Sequence, residues 1–261
     1  MKTYRKLIAR DKLQEAELSG GDICFIKTEA LLKILNERQP EKTLDLSRKR
    51  ICSVDLSGMN LSNIDFSCTR FENVDFTGAN MDHCNVSRCF FVECSMRGVR
   101  LTNADASDAS FRELDMQDSD FSGTNFYYAA LEFSNLENVK VNEKTKWFGD
   151  AVPQKGSFIC WKVGANHRVI QLLVPADAGR ACATSEAGRA EFAKVLSITN
   201  SERTQDFTWE TAMVDHDFVY EVGKTVYPDN GFSAYGWMDD SPGLHFFMDR
   251  DMAVAFGTGN Y

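Results

Sequence analysis

Every fifth residue from Leu46 to Val141 is apolar: Leu46, Ile51, Leu56, Leu61, Phe66, Phe71, Phe76, Met81, Val86, Phe91, and on through Phe111, Phe121 and Phe126, without an exception. A helix returns to the same face about every 3.6 residues and a strand about every 2, so neither element buries such a series. A second series, two residues earlier, is mostly small or aliphatic, with Val54, Ile64, Val74, Ala79, Cys84, Cys89, Cys94, Val99 and Ala104 among its members. Asp or Asn often separates the two, as at Asp55, Asn60, Asp65, Asp75 and Asn80, which gives a unit written A(D/N)Lxx. A backbone that buries both series turns a corner in every unit. Four units then complete a coil, residues twenty apart stack, and coils pair through main-chain hydrogen bonds about 4.8 Å apart. This rule names the core directly: Ile51, Phe71, Phe91, Phe111 and Leu131 form one ladder, and Leu56, Phe76, Met96, Met116 and Leu136 another.

On this motif, residues 46–142 resemble pentapeptide-repeat proteins. The resemblance implies a mainly β fold, a right-handed quadrilateral β-helix (a pentapeptide-repeat solenoid) of about five coils. Both ends of such a rod expose unpaired edges. Residues 4–18 and 28–38 read as helices of an N-terminal helical cap spanning 1–45; in TEALLKILNER, Thr28 is the expected N-cap, Leu31, Leu32 and Leu35 share a face, and Pro40 lies beyond the end. Past Val141 the pattern stops, and Trp147 and Phe148 are placed to close the last coil, within a linker or closing segment at 143–155.

From Gly156 the texture changes. SFICWKV, RVIQLLVP, AKVLSI, DFVYEVGKTV and GLHFFM read as strands, and Ala187–Ala193 and Asp249–Phe256 as helices, so a small α+β domain is expected over 156–261. The pieces CWKVG, VIQLLVPADA, RAEFAKVLSI, YEVGKTVYPD and PGLHFFMDRDMAVAF resemble an uncharacterised domain that often follows pentapeptide repeats in phage, viral and bacterial proteins. That resemblance implies a domain boundary and no particular chemistry.

No run of about 18 apolar residues occurs, and MKTYRKLIARDK is charged throughout, so neither a membrane span nor a secretory signal is expected and the location read is cytoplasmic. The eight cysteines include no CxxC pair and are expected to be reduced and mostly buried. Net charge is −9. It is uneven: residues 101–139 carry one arginine against eight carboxylates, whereas 46–100 carry seven cationic side chains against six acidic ones. A protein that grips phosphates needs a basic face, so direct nucleic-acid binding is not expected.

Candidate chemistry is sparse. GKT at 223–225 lacks the glycine a P-loop requires at 218, where Phe218 stands. Asp215, His216 and Asp217 are adjacent and cannot all face one metal from a strand. His245, in a strand-then-helix segment, loosely resembles the nucleotide pocket of the ADP-ribosyltransferase fold, but no glutamate follows it, the last being Glu221, so that resemblance implies a site without catalysis. Arg180, Arg189 and Lys194 are candidates for anion binding, and Trp161 and Tyr220 complete the binding candidates. No catalytic constellation, metal set or cofactor is indicated.

The leading expectation is a non-enzymatic protein–protein interaction module, a rigid rod plus a recognition domain, in the role of a phage or bacterial inhibitor of a host factor. The alternatives are a DNA-mimic inhibitor of a type II topoisomerase, invited by the acidic half, and a nucleotide-binding C-terminal domain. A protein partner is expected; the oligomeric state is open, with a homodimer as one option.

Overall fold

The computed structural model describes residues 24–238 and 240–259, and the chain divides into two compact units, 1–147 and 148–261. The helix expected at 4–18 lies outside the described residues. The described residues are mainly β, with two helices, and neither helix is long and apolar enough to cross a membrane.

In the first unit the strands are short: β1 (Cys24–Phe25), β2 (Leu44–Asp45), β3 (Lys49–Cys52), β4 (Ile64–Asp65), β5 (Arg70–Glu72) and β6 (Phe90–Val92). All pair in parallel, and the pairing continues as single bridges between residues twenty apart, in four ladders that run 45–65–85–105–125, 50–70–90–110–130, 55–75–95–115–135 and 60–80–100–120–140. Each corner is saturated from its own main chain: the Leu56 amide donates to Asp75 O at 2.8 Å, Gly58 N–H to Thr77 O at 2.9 Å, and Asp75 N–H to Val54 O at 3.1 Å. This answers the cost that buried, unpaired peptide groups would impose.

Two local devices make the corner. Every fifth residue from Arg48 to Asn138 has a φ between 50° and 76°. Such a left-handed residue is the third position of a type II turn. The Asp or Asn before the inward residue accepts a hydrogen bond from the amide two residues on, as at Asp55–Ser57 (2.9 Å), Asp75–Thr77 (2.8 Å) and Asn85–Ser87 (3.0 Å). That Asx turn is the physical reason for the D/N of the motif.

The inward series is buried as expected. Phe71, Phe91 and Phe111 stack face to face with centroids 5.0 Å apart at both steps and planes tilted by only 10° and 13°. Phe66 and Phe76 meet Phe71 edge-on, at 5.4 and 5.1 Å. The second inward series takes small polar groups because the interior offers them an acceptor: Thr69 Oγ1 donates to Leu46 O at 3.0 Å, Cys84 Sγ to Leu61 O at 3.0 Å, and Cys89 Sγ to Phe66 O at 2.9 Å. Burial pushes the Cys84 thiol up to about 12 and the Cys94 thiol to about 11, from an ordinary value near 9.0. Folding therefore holds protons that the unfolded chain releases, so these thiols should leave stability flat below pH ~9 and erode it from there to pH ~12. Urea unfolding across that window checks this; Cys84→Ala with Cys94→Ala should lessen the alkaline decline, while Cys89 and Cys160, whose thiols burial also pushes up, keep the remainder.

The pattern weakens at its C-terminal end. Leu136 is only half-buried and Val141 is 48 % exposed, so the expected second ladder loses its last member from the deep core. One extra residue then shifts the register: Asn125 pairs with Lys146, and Thr145 enters the interior, donating to Phe121 O at 3.1 Å. Trp147 packs on Tyr127 at 5.2 Å, whereas Phe148, expected beside it, belongs to the second unit and packs on Trp237 at 4.6 Å.

Helix α1 (Thr28–Glu37) buries Leu31 and Leu35. Its N-cap is Lys27 with no side-chain cap bond, so Thr28 is the first helical residue rather than the cap. Arg38, just past its end, donates to Ser62 O at 2.7 Å and Asn60 O at 2.6 Å, two carbonyls on the edge of the first coil. Arg38→Ala should cost about 1.5 kcal/mol, since charged donors to carbonyls contribute more than neutral ones. Denaturant midpoints check it, and Arg38→Lys should recover only part of the loss.

The second unit is an antiparallel sheet. It comprises β7 (Phe158–Val163), β8 (Val169–Val174), β9 (Arg180–Cys182), β10 (Ala187–Ala190), β11 (Ala193–Thr199), β12 (Asp206–Phe207), β15 (Thr225–Val226) and β16 (Leu244–Phe247), in the order β12-β11-β8-β7-β16-β10-β9 with β15 also on β11. A separate ribbon pairs β13 (Trp209–Thr211) with β14 (Val219–Glu221). One face carries the main core, with Cys160, Ile170, Leu172, Val195, Tyr220 and Phe246; helix α2 (Arg250–Thr258) packs with Val163, Val169 and Phe247 on the other. Asp249 caps α2, accepting from the Asp251 and Met252 amides, and Gly259 ends it in the left-handed region. The helix expected at Ala187–Ala193 is instead β10 and the start of β11. Gly188 explains the override: a Cβ there would lie 2.5 Å from Val152 and 2.6 Å from Phe246, so tight sheet packing outweighs the helical preference of the alanines.

Candidate functional site

Between β15 and β16 the chain runs from Tyr227 to Gly243 without a helix or strand among its described residues. A connection this long is uncommon in a compact domain unless it has a task. Its sequence, YPDNGFSAYGWMDDSPG, mixes aromatic, small and acidic residues, and no Lys or Arg occurs between Lys224 and Arg250.

The loop is held from beneath by two of the sequence candidates. Arg189 on β10 and His245 on β16 are cross-strand partners. Arg189 is 2 % exposed, and its guanidinium donates to Met238 O at 2.6 Å, Tyr235 O at 2.8 Å and Gly236 O at 3.3 Å. His245 donates from Nε2 to Ser241 O at 2.9 Å. Burial lowers the His245 pKa, and the charges of Lys162 and Arg189 push the same way, so the ring is kept neutral at neutral pH. The neck is closed by Ser233 N–H to Pro242 O at 3.0 Å, and a turn is made by Gly231 N–H to Pro228 O at 3.0 Å. Phe232 fits against Gly179, where a Cβ would come within 2.7 Å of its ring, and Trp237 packs on Phe148. The large side chains that the loop leaves outside are Tyr227, 61 % exposed, and Tyr235, 38 % exposed, beside the exposed Asp229, Asn230 and Asp240.

The other candidates fall elsewhere. Arg180 leaves the opposite face of the sheet, lies 5.2 Å over the Phe158 ring, and donates to five carbonyls, those of Pro153, Gly156, Pro175, Ala176 and Ala178. Trp161, half-buried, is the register partner of Phe247 beside α2. Tyr220 is 1 % exposed, with the Lys162 ammonium 5.1 Å over its ring, and Lys194 is exposed on β11. Asp215, His216 and Asp217 are all exposed, and among the described residues no group of His, Cys, Asp and Glu is placed to hold a metal. Sequence reasoning missed the loop, whose signal was its length without periodicity. It also missed Glu210, fully buried on β13, whose Oε1 accepts from Asn166 Nδ2 at 2.8 Å and the Thr211 amide at 2.7 Å, and whose Oε2 lies 3.7 Å from Arg168 Nε.

Comparison with known families divides the chain in the same two parts. Residues 64–141 match the pentapeptide repeat region, and residues 148–253 match a family of unknown function, DUF5758. The chain is a pentapeptide repeat region followed by a DUF5758 domain. Solved structures similar to it include HetL, a pentapeptide repeat protein involved in heterocyst differentiation regulation from Nostoc sp. PCC 7120, at 16 % identity, covering 47 % of this chain and 58 % of HetL with a TM-score of 0.23. A pentapeptide repeat protein from the Arabidopsis thaliana thylakoid lumen aligns at 17 % identity over 40 % of this chain and 68 % of its own, with a TM-score of 0.22. QnrB1, a plasmid-mediated fluoroquinolone resistance protein, aligns at 13 % identity over 46 % of this chain and 90 % of its own, with a TM-score of 0.13. The chain thus spans little over half of HetL, and alignments this partial carry no functional argument. No curated protein matches the chain.

Proposed function

We propose that this protein is a non-enzymatic protein-interaction module. In this reading the repeat region is a right-handed quadrilateral β-helix of about five coils under an N-terminal helical cap, and the DUF5758 domain recognises a protein partner through the 227–243 loop. A host factor inhibited by a phage or bacterial product is the kind of partner meant. The observation that carries the reading is the loop: one buried guanidinium fixes the carbonyls of Tyr235, Gly236 and Met238, and the exposed Tyr227 is seated against the Phe192 ring at 5.3 Å, so both tyrosines are presented in a set conformation. Tyrosines among Ser, Gly and Asn suit recognition because they offer contact area at low entropic cost, and a pre-ordered loop loses little freedom on binding. His245 and Arg189 are then positioning residues, their polar atoms already engaged by loop carbonyls rather than turned to a nucleotide.

The test is cross-linking and affinity capture from the source cell with the full chain and with Tyr227→Ser combined with Tyr235→Ser. A partner retained by the parent and lost by the variant supports the loop; an unchanged partner set overturns it. Calorimetry with NAD and ADP-ribose tests the nucleotide alternative, and saturable binding would displace the present reading. DNA mimicry of a topoisomerase substrate has the acidic stretch 101–139 in its favour. Yet Asp108 and Asp118 face Arg88 (3.8 Å) and Arg97 (3.1 Å) from outside the stretch and Glu132 faces Arg112 (2.9 Å) within it, so three of the eight carboxylates are paired. Unchanged supercoiling by a type II topoisomerase at high protein excess disposes of that alternative.

A further inference from the structure

We infer that the β13–β14 hairpin is a second docking surface, fitted to a protein segment that carries lysine or arginine beside apolar side chains. The ribbon alternates strictly. Glu210 and Tyr220, opposite one another, point inward at 0 % and 1 % exposure. The outward side instead displays Trp209, 49 % exposed, and Val219, 41 %, and the tip Met213, 37 %, and Val214, 92 %. Isolated exposed apolar residues need no explanation, but four on one short hairpin are the kind of display that marks an interaction site.

The hairpin is pre-ordered for docking. Its root is pinned where Glu210 Oε1 accepts from Asn166 Nδ2 at 2.8 Å, and Phe218 packs on Tyr220 at 5.0 Å. Its tip is tied by Ala212 N–H to Phe218 O at 2.9 Å, Phe218 N–H to Asp215 O at 3.2 Å and Asp217 N–H to Asp215 Oδ1 at 3.1 Å. Arg168 braces Trp209, donating to its carbonyl at 3.1 Å with the guanidinium 5.6 Å from the indole. Tryptophan held in place at the edge of an apolar patch is a typical binding anchor.

Charge selects the occupant. Between Arg203 and Lys224 the segment carries no Lys or Arg, and Arg168, the cation that reaches its root, is already bonded to the Trp209 carbonyl, while Asp206, Asp215, Asp217 and Glu221 of the same segment are exposed. An anionic lipid surface is repelled by those carboxylates. A second copy of a chain with net charge −9 is also a poor match. A basic, apolar protein segment satisfies both features, with the carboxylates steering and the patch holding.

The experiment is fluorescence anisotropy of the intact chain with labelled synthetic peptides of four kinds: basic and apolar, basic without apolar residues, neutral and apolar, and acidic and apolar. Only the first should bind. Val214→Ser should weaken it about tenfold, and Asp217→Lys combined with Glu221→Lys should remove it. All three positions are exposed, so circular dichroism should be unchanged. Equal binding of the basic peptide lacking apolar residues, or indifference to Val214→Ser, overturns the inference. So does a dimer in sedimentation, or binding to anionic vesicles, that Val214→Ser abolishes. The surface is distinct in sequence from the 227–243 loop, so this result and that of the tyrosine variants stand or fall separately.

Discussion

Phe91→Ala should cost about 3–5 kcal/mol in urea unfolding, the largest effect of any single substitution in the repeat region. Phe91 sits between Phe71 and Phe111 at 5.0 Å to each and meets Phe76 edge-on at 5.9 Å, so one truncation removes two stacked contacts and one edge contact together. The coils above and below are fixed by main-chain ladders and cannot collapse into the void, which puts the cost near the upper end of the cavity range. The effect should also be local. In a stack where each layer touches only its neighbours, a weakened layer uncouples the two halves, and unfolding should broaden or split. Val141→Ala is the control: it belongs to the same five-residue series, but at 48 % exposure it should change stability by less than about 0.5 kcal/mol.

Arg189→Met should destabilise the DUF5758 domain by about 3 kcal/mol and release the 227–243 loop. The substitution keeps the apolar stem but leaves the carbonyls of Tyr235, Gly236 and Met238 without their charged donor in a site that is 2 % exposed. Arg189→Lys should recover little, because a single ammonium cannot reproduce a planar fork that reaches three acceptors. Hydrogen exchange gives the specific readout. The amides of Gly231, Ser233 and Ser241, bonded in the parent, should lose protection at least tenfold, while those of β8 and β11 change only by the global loss. Lys194→Met, exposed on β11 and separated from β10 by three strands of the sheet, should move neither measure.

Much of the repeat region was legible because its signal is periodic. The inward Phe71, Phe91 and Phe111 followed from spacing alone, as did the small residues at Cys84, Cys89 and Cys94. The corner itself was equally visible and went unread: among the left-handed positions, Gly58, Gly78, Gly98 and Gly123, the asparagines 63, 73, 103 and 138, and Asp108 and Asp118 are the residue types that tolerate that conformation. The end of the repeat region was harder, since the one-residue shift that brings Thr145 inward leaves no apolar mark, and Val141 keeps the pattern after burial has ceased.

The second unit was read well where strands are long and aliphatic, as at Val169–Val174, and misread at Ala187–Ala190, where a tertiary constraint at Gly188 decides. Its candidate site was half visible. Arg189 and His245 were singled out as ligand-binding side chains, yet their polar atoms meet loop carbonyls, a partnership that depends on a strand pairing no local pattern encodes.

The central claim is that residues twenty apart lie one sheet spacing apart throughout the repeat region. Double electron–electron resonance between nitroxides at Ser57 and Glu137, both exposed and four ladder steps apart, tests it most directly. The account predicts a narrow distribution centred near 19 Å between backbone positions, four steps of about 4.8 Å, broadened only by the label arms. A distribution centred beyond about 30 Å, or one as broad as that of a flexible chain, would contradict it.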